Sequence, residues 1–229
     1  RPDPPSALEV IEIGSRSIRL SWKRSFDGNS PIRNYIIQYR ALGHSLAGDW
    51  EPSKTHNVTF TPGNLNTANT NGLSRYEAAA NDDQEIALVG GLHPAVTYTF
   101  RIFAINSIDS SEPTDPVVAK TQEEAPTEPP QSVKVQSAGP GELIVTWQAP
   151  PKESCNGDLL GYIVTWSEHS SSTSGVNQSK SLTVNGWATT KVQLTGLRKF
   201  TKYDITIRAF NSIASGPASP SVVGTTQEG

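Results

Sequence analysis

The residue types that carry chemistry are few in this chain and widely scattered. Four histidines, His44, His56, His93 and His169, occupy different segments, without the His-x-x-x-His or similar spacing that aims two imidazoles at one metal. Asp82-Asp83-Gln84-Glu85 is a dense run of oxygen ligands. A hard cation needs six or more oxygens converging from a turn of fixed pattern, and neither an EF-hand loop nor an Asp-x-Asp arrangement is present, so the run reads as a solvated acidic loop. Cys155 is the single cysteine, which excludes an internal disulfide and every zinc site built on two or more cysteines. No nucleophile stands beside a base and no carboxylates are paired for acid–base work. The expectation is therefore no catalytic residue, no metal, no cofactor and no enzymatic activity.

Two other patterns bear on surfaces. Arg16, Arg19, Lys23 and Arg24, with Arg33 nearby, are spaced as a basic stripe that could meet an acidic partner or a glycosaminoglycan. Period-two alternation puts Arg19 and Lys23 on the solvent side of a strand, where charge keeps sheets soluble, and that is the favoured reading. Asn57-Val-Thr59 and Asn177-Gln-Ser179 match the N-glycosylation acceptor, whereas Asn29-Ser-Pro31 fails at its third position. Both Asn57 and Asn177 are expected in loops.

Composition limits what can hold these residues. The 229 residues suffice for one large domain or two modules of about 100. With 19 basic and 22 acidic residues the net charge is −3, which gives no electrostatic footprint for nucleic acid or an anionic membrane. No apolar run reaches the length of a membrane span, and Arg1-Pro-Asp-Pro-Pro5 has no signal-peptide pattern, so any leader is expected to have been removed or to lie outside this sequence. Eighteen Gly and 17 Pro point to many turns and few long helices.

The chain carries one pattern twice. Ile18-Arg-Leu-Ser-Trp22 recurs as Leu143-Ile-Val-Thr-Trp147, each an alternating strand ending on tryptophan. Turns follow, Phe26-Asp-Gly-Asn-Ser-Pro31 and Cys155-Asn-Gly-Asp158, whose Asp-Gly and Asn-Gly steps tolerate positive φ. Next come the strands Tyr35-Ile-Ile-Gln-Tyr39 and Tyr162-Ile-Val-Thr-Trp166. Later, Leu92 and Leu197 each precede by six residues a tyrosine, Tyr98 or Tyr203, that opens a long alternating strand. That is the pattern of a tyrosine corner, in which the ring is buried and its hydroxyl bonds the preceding turn. Trp22, Tyr35, Tyr98, Trp147, Tyr162 and Tyr203 are the expected structural core. The fold class is all-β: two tandem antiparallel sandwiches of immunoglobulin-like type.

The tryptophan strand, the tyrosine corner and the missing cysteine pair resemble the fibronectin type III module. The first module is expected over residues 1–123 and the second over 124–229, joined through Thr121-Gln-Glu-Glu-Ala-Pro-Thr-Glu-Pro-Pro130, a proline-stiffened, solvated link with limited hinging. Linker-like residues at both ends suggest two beads from a longer string. From Trp22 to Tyr98 is about 20 residues longer than from Trp147 to Tyr203, and the excess, within about 41–85 and including Thr61 to Gly72, reads as a mobile surface loop.

Glu9-Val-Ile-Glu-Ile-Gly-Ser-Arg-Ser-Ile-Arg-Leu-Ser-Trp22, Phe26-Asp-Gly-Asn-Ser-Pro-Ile32, Glu124-Ala-Pro-Thr-Glu-Pro-Pro130 and Leu197-Arg-Lys-Phe-Thr-Lys-Tyr203 resemble the first two fibronectin type III repeats of the Down syndrome cell adhesion molecule (Dscam) family, in an arthropod-like version. Sidekick-type adhesion proteins share the Phe-Asp-Gly-Asn-Ser-Pro turn. The resemblance implies a single-pass plasma-membrane receptor of neurons, with immunoglobulin domains ahead of the fibronectin repeats, acting in homophilic recognition, axon guidance and neurite self-avoidance. It implies an extracellular, glycosylated stalk whose partners are the receptor's other domains and cell-surface proteins, foremost the same receptor type. It assigns recognition mainly to immunoglobulin domains, which agrees with the linker-like ends and with a sequence that shows no exposed apolar stripe of the size a stable interface needs, so the fragment is expected to be monomeric, and its charge balance predicts no contact to membrane or nucleic acid. A sidekick-type adhesion protein, a direct protein-ligand-binding module and a cytosolic muscle-type scaffold remain alternatives.

Overall fold

In a computed structural model, residues 1–43, 50–63, 73–169 and 178–229 are described. They fall into two compact units, Arg1–Gln122 and Glu123–Gly229. In the first, β1 (Ser6–Ile13), β2 (Ile18–Lys23), β5 (Arg75–Glu77) and β6 (Gln84–Val89) form a sheet ordered β1-β2-β6-β5. The second sheet, from β3 (Asn34–Ala41), β4 (His56–Phe60), β7 (Thr97–Ile105) and β8 (Val117–Lys120), is ordered β4-β3-β7-β8. In the second unit β9 (Gln131–Gly139), β10 (Glu142–Gln148) and β13 (Lys191–Leu194) are ordered β13-β10-β9. Facing them are β11 (Gly161–Glu168), β12 (Lys180–Asn185), β14 (Lys202–Phe210) and β15 (Val222–Thr225), ordered β12-β11-β14-β15. Strand pairs within these sheets are antiparallel, for example Tyr35↔Ala104 and Ile37↔Ile102 between β3 and β7.

Alternation explains the burial. Along β7, Tyr98, Phe100, Ile102 and Ala104 are buried while Arg101 and Phe103 are only partly covered. The two inner faces close on one another, as stacked sheets about 10 Å apart require. Trp22, fully buried, meets Tyr35 edge-on with ring centroids 5.2 Å apart, and Trp147 meets Tyr162 in the same way at 5.3 Å. Each tyrosine corner is closed: the His93 N–H donates to the Tyr98 hydroxyl at 2.9 Å and the Arg198 N–H to the Tyr203 hydroxyl at 2.8 Å. The Asp-Gly turn after β2 takes positive φ at Gly28 (73°) and Asn29 (63°). A Cβ at Gly28 would lie 2.7 Å from the Arg1 carbonyl, so glycine also lets the leading segment lie against the turn.

Two expectations are corrected. The stretch about 41–85 is not one surface loop: His56–Phe60 and Arg75–Glu77 are strands, and Gln84–Glu85 open a third. Val58 and Phe60 are buried, which anchors β4 on the core. Residues 64–72, most of the segment Thr61 to Gly72, lie outside the described residues. Nor is the proline-rich link simply solvated. Pro126 and Pro130 are buried, the Thr127 N–H donates to the Ser154 carbonyl, and the Glu124 N–H donates to the Asn156 carbonyl, so residues 123–130 are packed into the second unit. Backbone donors covered this way need partners, and the β10–β11 turn supplies them.

Candidate interaction surfaces

The chemically capable residues stay apart. His56 is exposed on β4 and stacks on Tyr39 at 5.0 Å; His93 sits in the tyrosine-corner turn; His169, beyond β11, shares a hydrogen bond of 2.8 Å with Asp204. His44 lies outside the described residues. Among those described, no group of three or more His, Cys, Asp or Glu could hold a metal ion.

The acidic run divides, which corrects its reading as a solvated loop. Asp82 and Asp83 are exposed, but Gln84 and Glu85 belong to β6, where Glu85 falls in phase with inward Ala87 and Val89 and is fully buried. The Arg24 Nε–H donates to Glu85 Oε1 at 2.5 Å, while Oε2 has no hydrogen-bond partner among the described residues. Burial holds the Glu85 carboxyl above its usual range, outweighing the lowering by Arg24; the Arg24 guanidinium is raised in turn by its hydrogen bond to Glu85. The Tyr35 hydroxyl is pushed up to about 12, by burial first and by the Glu85 charge second. A fully buried carboxylate that meets an arginine within a sheet and lies near a buried phenol reads as a structural ion pair. The basic stripe is likewise partly consumed. Arg19 bonds Glu77 at 2.6 Å and Glu12 at 2.5 Å and is mostly covered, so it is an internal strut of the β1-β2-β6-β5 sheet and not a free solvent-side charge.

Cys155 is buried, with Sγ 3.4 Å from the Pro151 carbonyl oxygen, and burial pushes its thiol up. It lines an apolar cleft with Ala149, Pro150, Leu159 and Trp187. A raised, covered thiol is a poor nucleophile.

The sequence reading missed four residues that tie loops to strands. Asn106 Oδ1 accepts the Ile108 and Asp109 N–H groups, and its Nδ2 donates to the Asp27 carbonyl. Asn211 repeats this on Ile213 and Ala214, donating to the Glu124 and Cys155 carbonyls. Thr121 and Thr226 each accept one tyrosine-corner N–H and donate to carbonyls there. Their repetition, as Asn-Ser-Ile and Thr-Gln-Glu in both copies, was the available signal. The asparagine turns hold Ile108 (71% exposed) and Ile213 (58%) outward, and Phe26, Trp187 and Phe200 are also exposed, more apolar surface on turns than the alternation of strands foretells.

The outer face of the β4-β3-β7-β8 sheet carries a row of polar side chains held by specific contacts. Asn57 is exposed and lies in the edge strand β4, not in a loop as its sequon suggests. It pairs with Gln38, which pairs with Arg101. The Arg101 Nε–H donates to Gln38 Oε1 at 2.7 Å, and its guanidinium carbon lies 4.3 Å from the Trp50 ring centroid, with that of Arg40 at 5.2 Å. Burial, with Arg40 adding, lowers the Arg101 guanidinium from its ordinary value. The second sequon residue, Asn177, lies outside the described residues.

Comparison with known proteins follows the same lines. The fibronectin type III domain family matches residues 3–120 and 128–225. The Drosophila melanogaster cell adhesion molecule Dscam1 is 33% identical over 228 residues, and human cell adhesion molecule DSCAML1 is 34% identical over 227. Rat cell adhesion molecule DSCAM is 32% identical over 229 residues. The matches cover 99–100% of this chain but 10% of each relative, so the chain spans about a tenth of their length. The FN1–FN3 domains of chicken CNTN1 superpose with a TM-score of 0.65 at 24% identity, covering 99% of this chain and 67% of that one, a likeness of fold.

Proposed function

Because the chain belongs to the fibronectin type III family and aligns along its whole length with Dscam cell adhesion molecules, we propose that it is an extracellular stalk segment of a single-pass plasma-membrane adhesion receptor of neurons, serving homophilic recognition in axon guidance and neurite self-avoidance. The observation that carries this reading is the match to Dscam relatives at 32–34% identity through both units and the segment joining them. The structural ion pair of Arg24 with Glu85, the buried thiol with its raised pKa and the cores built from apolar side chains support a non-catalytic role. The pair acts as a spacer, with its partners being the receptor's other domains and, through them, the same receptor on a facing cell.

A spacer has a measurable signature. A stable protein interface covers about 800 Å² per partner. Weak contacts still matter on a membrane, where many receptors act together. The isolated chain is therefore expected to sediment as a monomer at micromolar concentration, with self-association no tighter than about 10 to 100 μM, which is only about 5.5 to 7 kcal/mol. Cells displaying it on a heterologous membrane anchor should not aggregate. A sub-micromolar dimer in sedimentation equilibrium replaces the spacer with a recognition module.

A further inference from the structure

The outer face of the β4-β3-β7-β8 sheet carries a hydrogen-bonding platform that begins at a modifiable residue. Within Asn57-Val-Thr59, Val58 points into the core and is 5% exposed, so Asn57 and Thr59 both stand outward on the edge strand and are exposed. The flanking edge of β4 has no partner strand among the described residues. Across the sheet, Asn57, Gln38 and Arg101 form one row. With strands about 4.8 Å apart, Arg101 stands roughly 10 Å from the Asn57 column, within reach of the first two sugars of a chain attached there.

The chemistry of the row suits a neutral sugar. Acetamide carbonyls and ring hydroxyls need donors and acceptors held in place, and the Arg101 guanidinium, its Nε–H given to Gln38, presents its two NH2 groups in a fixed fork. Arg101 is fixed twice, by its bond to Gln38 and by the Trp50 ring 4.3 Å away, so little side-chain entropy remains to be lost on contact. An open edge strand also invites pairing with another chain, and bulk carried on it opposes that.

We infer that Asn57 is an N-glycan attachment site and that the proximal N-acetylglucosamine units of that glycan lie along the Gln38–Arg101 row, which Trp50 braces. The inference rests on the extracellular reading above and adds a residue-level device to it: the glycan covers the outer face of this sheet and closes the β4 edge to strand addition. This also selects the surface of the first unit that stays out of protein contacts.

The test is secretion of the 229-residue chain from eukaryotic cells behind an added signal sequence, with glycopeptide mass analysis at Asn57. Occupancy is expected, together with nuclear Overhauser contacts from the N-acetylglucosamine protons to the Gln38 and Arg101 side chains in the parent protein. Asn57→Gln and Thr59→Ala, which remove the glycan by different routes, should each lower the melting temperature of the first unit by about 3 °C. In bacterially made, unglycosylated protein the same substitutions should move it by less than about 1 °C, and in an Arg101→Ala background the glycan should give no increment. A folded, secreted chain with Asn57 unmodified overturns the inference. So does an occupied site whose sugars show no contact to the row. Neither outcome touches the stalk reading, because the signal sequence is supplied and that reading is judged by sedimentation and cell aggregation.

Discussion

At the residue scale, Glu85 shows where a sequence is legible and where it misleads. Its neighbours Asp82 and Asp83 suggest a solvated loop, and composition alone gives no contrary sign. Periodicity does, because Glu85, Ala87 and Val89 are in phase and all are buried. Burial holds the Glu85 carboxyl above its unfolded value, so the native state binds this proton more tightly than the unfolded chain does. Its contribution to stability is complete below the unfolded value, near pH 4.5, and declines as pH rises through the folded value. Glu85→Gln keeps an acceptor for Arg24 and removes the charge. Its melting temperature relative to the parent should therefore climb from pH 4 to pH 7, and a relative melting temperature that falls over that window contradicts the assignment. Cys155 was legible as a turn residue but not as a buried one, because turn signals do not say what the turn packs against. Cys155→Ser withdraws the sulfur from its apolar cleft but leaves a hydroxyl facing the Pro151 carbonyl, so it is expected to destabilise the second unit by only about 1 kcal/mol, read as a small fall in its denaturation midpoint, and thiol labelling of the native chain should be slow until it unfolds.

At the scale of elements, the strands that open and close each core were readable from alternation and from their recurrence, as the pairs Ile18–Trp22 with Leu143–Trp147 and Tyr98–Asn106 with Tyr203–Asn211 illustrate. Strand β4 was hidden because its outward residues, Asn57 and Thr59, resemble loop residues, although Val58 and Phe60 keep period two. The segment 123–130 was hidden for a different reason. Proline and glutamate describe a linker by composition, yet the hydrogen bonds that fix it come from Asn211 and Asn156, far away in sequence. Asn211 touches four backbone groups: it donates to the Glu124 and Cys155 carbonyls and accepts from the Ile213 and Ala214 N–H groups. Removing it takes a donor from the buried Cys155 carbonyl and an acceptor from the Ile213 and Ala214 N–H groups, at roughly 1 to 3 kcal/mol for each group stranded. Asn211→Ala should destabilise the second unit by about 2 to 4 kcal/mol and expose residues 123–130 to limited proteolysis. Cleavage no faster than in the parent would show that the segment is held by its prolines alone.

At the scale of the molecule, the repeat was the most legible feature, because two copies of one pattern report shared constraints that a single copy cannot. The cores formed by the two copies draw on separate residues: the cluster around Trp22 ends at Ala119, and the cluster around Trp147 is built from Val133 onward. Each aromatic pair, Trp22 on Tyr35 and Trp147 on Tyr162, therefore stabilises its own unit. Truncating a buried tryptophan costs about 3 to 5 kcal/mol, a large share of the roughly 5 to 15 kcal/mol that holds a domain folded. In the 229-residue chain, Trp147→Ala should abolish or greatly lower one calorimetric transition and leave the melting of the first unit within about 2 °C of the parent. Trp22→Ala should do the reverse. If either substitution instead lowered both transitions together, the two cores would be one cooperative structure, and a stalk assembled from independently folded beads would no longer describe this chain.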